Sequence, residues 1–209
     1  MDNVSRKWRR KPGERPGEIL ASALNVFSEK GFRQATMDEI ASGAGITKGT
    51  IYLYYAGKED LFIEMVRAKF REAIELLPQI AFSVGQDPET LTRSVGKALL
   101  DVLMRPEVAK AIPLVIAQWN HIPALKRMYH EEILPRANLR LAELLELGMG
   151  IGIVRNLDPV IAARSLFGMF FIFVLTQEVL GARDVTPMNT ESIVENIVSI
   201  YFHGILRKD

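Results

Sequence analysis

From Gly17 onward, apolar residues recur at three- and four-residue spacing, and runs of alternating β-branched residues are few. Ile19, Leu20, Ala23, Leu24 and Phe27 form one stripe, and Gly31 after Lys30 predicts where it stops. Met37, Ile40, Ala41 and Ala44 form a shorter stripe behind Thr36, an N-cap residue with Glu39 three positions later. Thr47 predicts the cap of a third short segment containing Ile51 and Tyr54. A fourth helix opens near Lys58 and carries Leu61, Phe62, Met65, Val66, Phe70, Ile74 and Leu77, with Pro78 near its end.

Farther along, Asp87-Pro88, Arg105-Pro106, Ile122-Pro123 and Asp158-Pro159 each place proline where a helix begins. Pro113 and Pro135 fall inside helical patterns and predict kinks or short breaks. Gly148, Gly150 and Gly152 predict a turn ahead of two last helices, at 158–181 and 190–206. The fold expected is all-α, with about nine helices and no sheet. The pattern changes near residue 60, from short helices joined by tight turns to longer, more apolar ones. This divides the chain into an arm (1–16), a helix-turn-helix module (17–60) and a larger helical domain (61–209).

Charge sharpens that division. The 209 residues sum to a net +1, but Arg6, Lys7, Arg9, Arg10, Lys11 and Arg15 against Asp2 and Glu14 put a net +4 on the arm. A basic arm on a near-neutral body points to a polyanionic partner. The chain has no cysteine, which excludes disulfide scaffolds, thiol catalysis and thiolate metal sites. Pro12, Gly13 and Glu14 follow the basic cluster where a signal peptide has its apolar region. The most apolar run, Ser165 to Gln177, is 13 residues without a charge, against roughly 20 needed to span a bilayer. A cytoplasmic protein with no membrane partner is expected.

The run from Thr36 to Tyr55 carries the chemistry. Ala41 is small where two helices approach, and Gly45 stands where the turn between them requires a positive φ. With Ile40, Ala44, Ile46, Ile51 and Tyr54 closing a small core, Thr47, Lys48, Gly49, Thr50, Tyr52 and Tyr55 remain to face outward. That face offers hydroxyl and ammonium donors to phosphates and base edges, with little bulk near the helix start.

Residues 17–70 closely resemble the DNA-binding domain of the TetR family of bacterial transcriptional regulators. The matching segments are Glu18-Ile-Leu-Ala-Ser-Ala-Leu, Phe27-Ser-Glu-Lys-Gly-Phe32, Thr36-Met-Asp-Glu-Ile-Ala41, Ala44-Gly-Ile-Thr-Lys-Gly-Thr-Ile-Tyr52 and Lys58-Glu-Asp-Leu-Phe62. Residues Arg155 to Ala163 resemble the entry to the family's penultimate helix. The resemblance implies a recognition helix in the major groove bearing Thr47, Lys48, Gly49, Thr50 and Tyr52. It also implies phosphate contacts from Thr36, Tyr54 or Tyr55, and Lys58. If Lys48, Lys58 and the arm all meet phosphates, log affinity falls with log salt by roughly 0.9 per phosphate neutralised.

The resemblance further implies that the larger domain binds a small-molecule effector and pairs two subunits through the last two helices. Met65, Met104, Trp119, Met128, Tyr129, Phe167, Phe170 and Phe171 are candidates for an apolar lining, with Gln118 and His121 as polar groups among them. Residue by residue, the same stripes read first as ordinary core. Phe167, Phe171, Val174 and Leu175 with Ile193, Ile197, Ile200 and Tyr201 are the candidate pairing surface. Two recognition helices then enter successive major grooves about 34–36 Å apart on a pseudo-palindromic operator. An effector that tilts the fourth helix alters that separation and releases the DNA.

No enzyme is expected. His121, His130 and His203 lack metal-ligand spacing, and Gly148-Met-Gly-Ile-Gly-Ile lacks the last glycine of a dinucleotide fingerprint. No catalytic residue, metal or cofactor is therefore assigned. Two rival readings are a helical small-molecule binding protein that has lost DNA binding, and a partner-dependent DNA-binding protein without an inducer.

Overall fold

The computed structural model describes residues 14–82, 88–152 and 154–203; the arm up to Gly13 and the expected cap Asp87 lie outside the described residues. The helices in chain order are α1 (Arg15–Gln34), α2 (Met37–Gly43), α3 (Lys48–Ile51), α4 (Lys58–Phe82), α5 (Pro88–Leu103) and α6 (Pro106–Gln118). They continue with α7 (Pro123–Met128), a π-helical turn (Tyr129–Ile133), α8 (Leu134–Gly150), α9 (Pro159–Val174), a second π-helical turn (Leu175–Val179), α10 (Ala182–Val185) and α11 (Thr190–His203). Among the described residues there is no strand. The chain separates into two compact units, Met1–Met65 and Val66–Asp209, with the division inside α4.

Among the described residues there are eleven α-helices against the nine expected: the helix that opens at Pro123 as expected is divided into α7 and α8 by a π-helical turn, and the short α10 is additional. Proline placement explains further differences. Pro113 sits exposed within an unbroken α6, whereas Pro78 lies near the end of α4 as expected. Pro135 falls in the first turn of α8, where its missing N–H costs no helical hydrogen bond. Asp158 caps α9 as expected, its Oδ1 accepting from the backbone N–H groups of Val160 and Ile161, each at 2.9 Å.

In the first unit, α1 buries Ile19, Ala23, Leu24 and Phe27 against Met37, Ile40 and Ala41 of α2 and Leu61 and Phe62 of α4. Phe27, Phe32 and Phe62 form a triangle of rings with centroids 5.1–5.5 Å apart, two of the three contacts edge-on. Gly31 takes φ +74°, which breaks the helical path of α1 four residues before its C-cap. The Ser22 hydroxyl donates to the Ile40 carbonyl at 2.8 Å, pinning α1 to α2.

In the second unit, Leu99, Leu100 and Leu103 of α5, Val108 and Ile112 of α6, Leu166, Phe170 and Val174 of α9, and Ile193, Val194, Ile197 and Val198 of α11 make one core. Two ion pairs, Arg93–Glu195 (2.6 Å) and Lys97–Glu191 (2.8 Å), run along the antiparallel α5–α11 contact, with His203 Nε2 3.1 Å from the Glu89 carboxylate at its end. The extra residue in the second π-helical turn brings Gln177 inward, where its amide bonds Thr186 O and Met188 N at 3.2 and 3.1 Å.

This packing corrects two expectations. Val174, Ile193 and Ile197 belong to the unit's own core, and Tyr201 donates its hydroxyl to the Ala162 carbonyl at 3.1 Å. The exposed stripe of α9 is instead Ile161, Ser165, Gly168 and Ile172, one helical face away. The apolar run is also longer than the uncharged 13 residues suggest. Pro159–Val179 forms one 21-residue helical segment containing an 18-residue window of mean hydropathy 1.9, long and apolar enough to cross a membrane by length and composition, yet packed against α5, α8 and α11.

Gly96 marks the tightest approach in this core, since a Cβ there falls 2.3 Å from the Phe170 ring. Gly96→Ala is expected to destabilise the protein by about 1–3 kcal/mol despite alanine's better helix propensity. Phe170→Leu in the same chain should recover part of that loss, as read by denaturant unfolding of the single and double variants.

Candidate DNA-binding site

The site is assembled by local hydrogen bonding. Thr36 and Glu39 close a reciprocal cap on α2: the Glu39 N–H donates to Thr36 Oγ1 at 3.3 Å, and the Thr36 N–H donates to Glu39 Oε2 at 3.0 Å. Lys30 also pairs with Glu39. The turn to α3 uses Gly45 at φ +65° and a bond from the Ile46 N–H to the Ala41 carbonyl at 2.9 Å. Thr47 caps α3, its Oγ1 accepting from the Thr50 N–H at 3.3 Å.

Beyond Ile51 the chain leaves α3 in a hydrogen-bonded turn. Leu53 N–H bonds Thr50 O, and the N–H groups of Tyr54 and Tyr55 both bond Ile51 O, all at 3.1 Å. This winding decides which aromatic rings are buried. Ile51 and Tyr55, four apart, share the inner face; Tyr54, three apart, does not. Tyr55 is 7% exposed, whereas Tyr52 and Tyr54 are 47% and 40% exposed. Tyr54 is therefore a surface residue and Tyr55 a core residue, the reverse of the expected arrangement. Burial, with smaller contributions from Asp60 and Tyr54, pushes the Tyr55 phenol above its ordinary pKa.

The outward residues Thr47, Lys48, Gly49, Tyr52 and Tyr54 are thus brought to one surface, with Thr50 half-buried among them. Lys48 is held by Asp38 of α2 at 2.9 Å, and this hydrogen bond and charge raise the lysine's pKa. The Thr36 hydroxyl is engaged with Glu39. Lys58 turns back on its own unit. Its ammonium donates to the carbonyls of Arg33 and Ala35 at 3.0 and 2.8 Å and lies 4.9 Å from the centre of the Phe32 ring. It closes the end of α1 beside the Gly31 break. One surface residue escaped the sequence reading: Leu53 is 83% exposed. It stands two residues from each of the buried pair Ile51 and Tyr55, in the turn that follows α3.

The candidate effector residues fall into separate groups. Trp119 and Tyr129 meet edge-on at 5.2 Å, near buried Gln118 and Met128, with His121 exposed. Met104, Phe167 and Phe171 pack on the core of the second unit, with the last two rings stacked at 5.6 Å. Phe170 is fully inside that core, filling the space above Gly96, and Met65 is buried at the end of the first unit.

Two family models match this chain. Bacterial regulatory proteins of the tetR family match residues 19–65, and the C-terminal domain of AefR-like transcriptional repressors matches residues 89–203. The chain belongs to the TetR family. The fatty acid metabolism regulator protein of Bacillus subtilis is 28% identical over 152 residues, 72% of this chain and 77% of that protein. A TetR-family regulator from Mesorhizobium loti superposes with TM-score 0.72 at 26% identity, covering 92% of this chain and 97% of its own. The FadR regulator of B. subtilis, solved with stearoyl-CoA, superposes with TM-score 0.74 at 22% identity over 91% and 99% of the two chains. The TetR-family chain described here is thus a DNA-binding transcriptional repressor. Its family consists of transcriptional regulators, which act as dimers on DNA operators.

The cap on α2 has a definite pH dependence. Lys30, then Thr36, hold the Glu39 carboxyl below the usual carboxylate range. A lowered folded-state pKa contributes stability that is present above the unfolded value and is lost as pH falls through the folded one. Glu39→Gln, which keeps the cap's hydrogen-bonding shape, should flatten the fall in melting temperature between pH 5 and about 3. An identical acid limb in both proteins counts against the assignment.

Proposed function

We propose that this chain is a cytoplasmic homodimeric repressor that reads a pseudo-palindromic operator through the face of Thr47, Lys48, Gly49, Thr50 and Tyr52. Tyr54 reaches the flanking backbone. The observation that carries the reading is the outward presentation of that face by a capped helix whose opposite side is buried. In this reading Lys58 and Thr36 act on DNA mainly by shaping the backbone turn beside it, since their side chains are engaged within the unit.

The exposed stripe Ile161, Ser165, Gly168 and Ile172 on α9, with Ile200 on α11, forms the dimer surface. Small Ser165 and Gly168 permit close helix approach, and only 28% of the apolar window of α9 is buried within one chain. Ile172→Asp is expected to yield a folded monomer in sedimentation and to lose operator binding; a stable dimer from this variant refutes the assigned surface.

The effector proposed is a long-chain acyl thioester. Its support is the kinship with a fatty acid metabolism regulator and the stearoyl-CoA held by a protein of the same fold. Stearoyl-CoA at micromolar concentration should release the purified repressor from its operator while free CoA does not. Equal operator binding with and without the thioester removes this effector class.

A further inference from the structure

The outward face of the recognition segment has an apolar centre. Ile51 and Tyr55 mark the buried side, and Leu53, two residues from each in the turn that follows α3, is more exposed than either neighbouring tyrosine. Lys48, Tyr52 and Tyr54 are exposed around it. A Cβ at Gly49 finds only Thr47 Oγ1, 4.0 Å away, so the space ahead of Leu53 is open. Leu53 itself, at 83% exposure, is flanked by two exposed tyrosines. The hydrogen-bonding groups of this face stand at its edges, and an isobutyl group stands in its middle.

An isolated exposed leucine elsewhere on a surface needs no explanation. Here its position matters, because base edges in the major groove are donors and acceptors with one apolar exception, the thymine 5-methyl group. A leucine pressed against the other edges strips water from polar atoms and returns no hydrogen bond. Against a methyl group it buries apolar surface on both sides.

We propose that Leu53 is a specificity-determining residue that selects a thymine in each operator half-site by contact with its 5-methyl group. The assignment rests on the DNA-binding reading above and adds the base that this position recognises. Its partners on the face divide the work: Lys48, Thr50 and Tyr52 supply hydrogen bonds and charge, and Leu53 supplies the apolar contact.

Uracil isolates the contact, since it keeps every hydrogen-bonding group of thymine and lacks only the methyl. The operator duplex is first recovered with the full-length protein by selection from a fragmented genomic library at fixed, near-physiological salt. Each thymine is then replaced singly by uracil, and affinities are measured for the wild-type and Leu53→Ala proteins. One symmetric position should weaken wild-type binding about fourfold per half-site, the value of one buried methyl. The same replacement should leave the Leu53→Ala protein unaffected, and that protein should bind the thymine operator as weakly as wild type binds the uracil one. Leu53 is exposed, so the variant should retain its helix content and melting temperature, which are measured alongside. Uracil effects that are equal in both proteins, or absent throughout, overturn the assignment while leaving DNA binding intact. Recovery of no preferred duplex overturns the DNA-binding reading and the assignment with it.

Discussion

The candidate recognition surface depends on one burial decision: Ile51 and Tyr55, joined by a bond from the Tyr55 N–H to the Ile51 carbonyl, enter the core together. α3 itself is only four residues long and has no independent stability. Its orientation is set by those two side chains and by the caps at Thr47 and Thr36. Everything that faces outward, from Lys48 to Tyr54, is placed by what faces inward. The polar surface is a by-product of packing, which is why so short a helix presents a defined face.

The elements leading to that face reinforce it. Ser22 ties α1 to α2 through the Ile40 carbonyl, and a Cβ on Gly43 falls 2.4 Å from the same hydroxyl. Lys58 gathers the carbonyls at the end of α1 and covers the Phe32 ring. A residue that family resemblance assigns to phosphate is thus first a fastener of the protein itself. The two roles are compatible in kind, because an ammonium has three donors and two are used here.

Much of this was legible from residue spacing. The Thr36–Glu39 cap, the positive φ at Gly45, the Thr47 cap and the Asp158 cap are local features, and local chemistry is written in adjacent residues. The misreadings concern choices between neighbouring faces. Tyr54 and Tyr55 differ by one position, and whether the inward contact comes at three or four residues from Ile51 depends on how the turn winds. On α9, apolar residues surround the helix, so composition does not say which side meets the chain's own core. The candidate effector residues dispersed for the same reason. Met and Phe fill cores and cavities alike, and only packing shows that Phe170 fills the space left by Gly96.

The pairing of Lys48 with Asp38 changes the meaning of its positive charge. The recognition surface carries its own counter-ion, so a phosphate arriving there takes part in an exchange of one anion for another. If Lys48 meets a phosphate, that contact first costs the protein its Lys48–Asp38 pair, so the net gain from it is smaller than from a basic group with no carboxylate partner to give up.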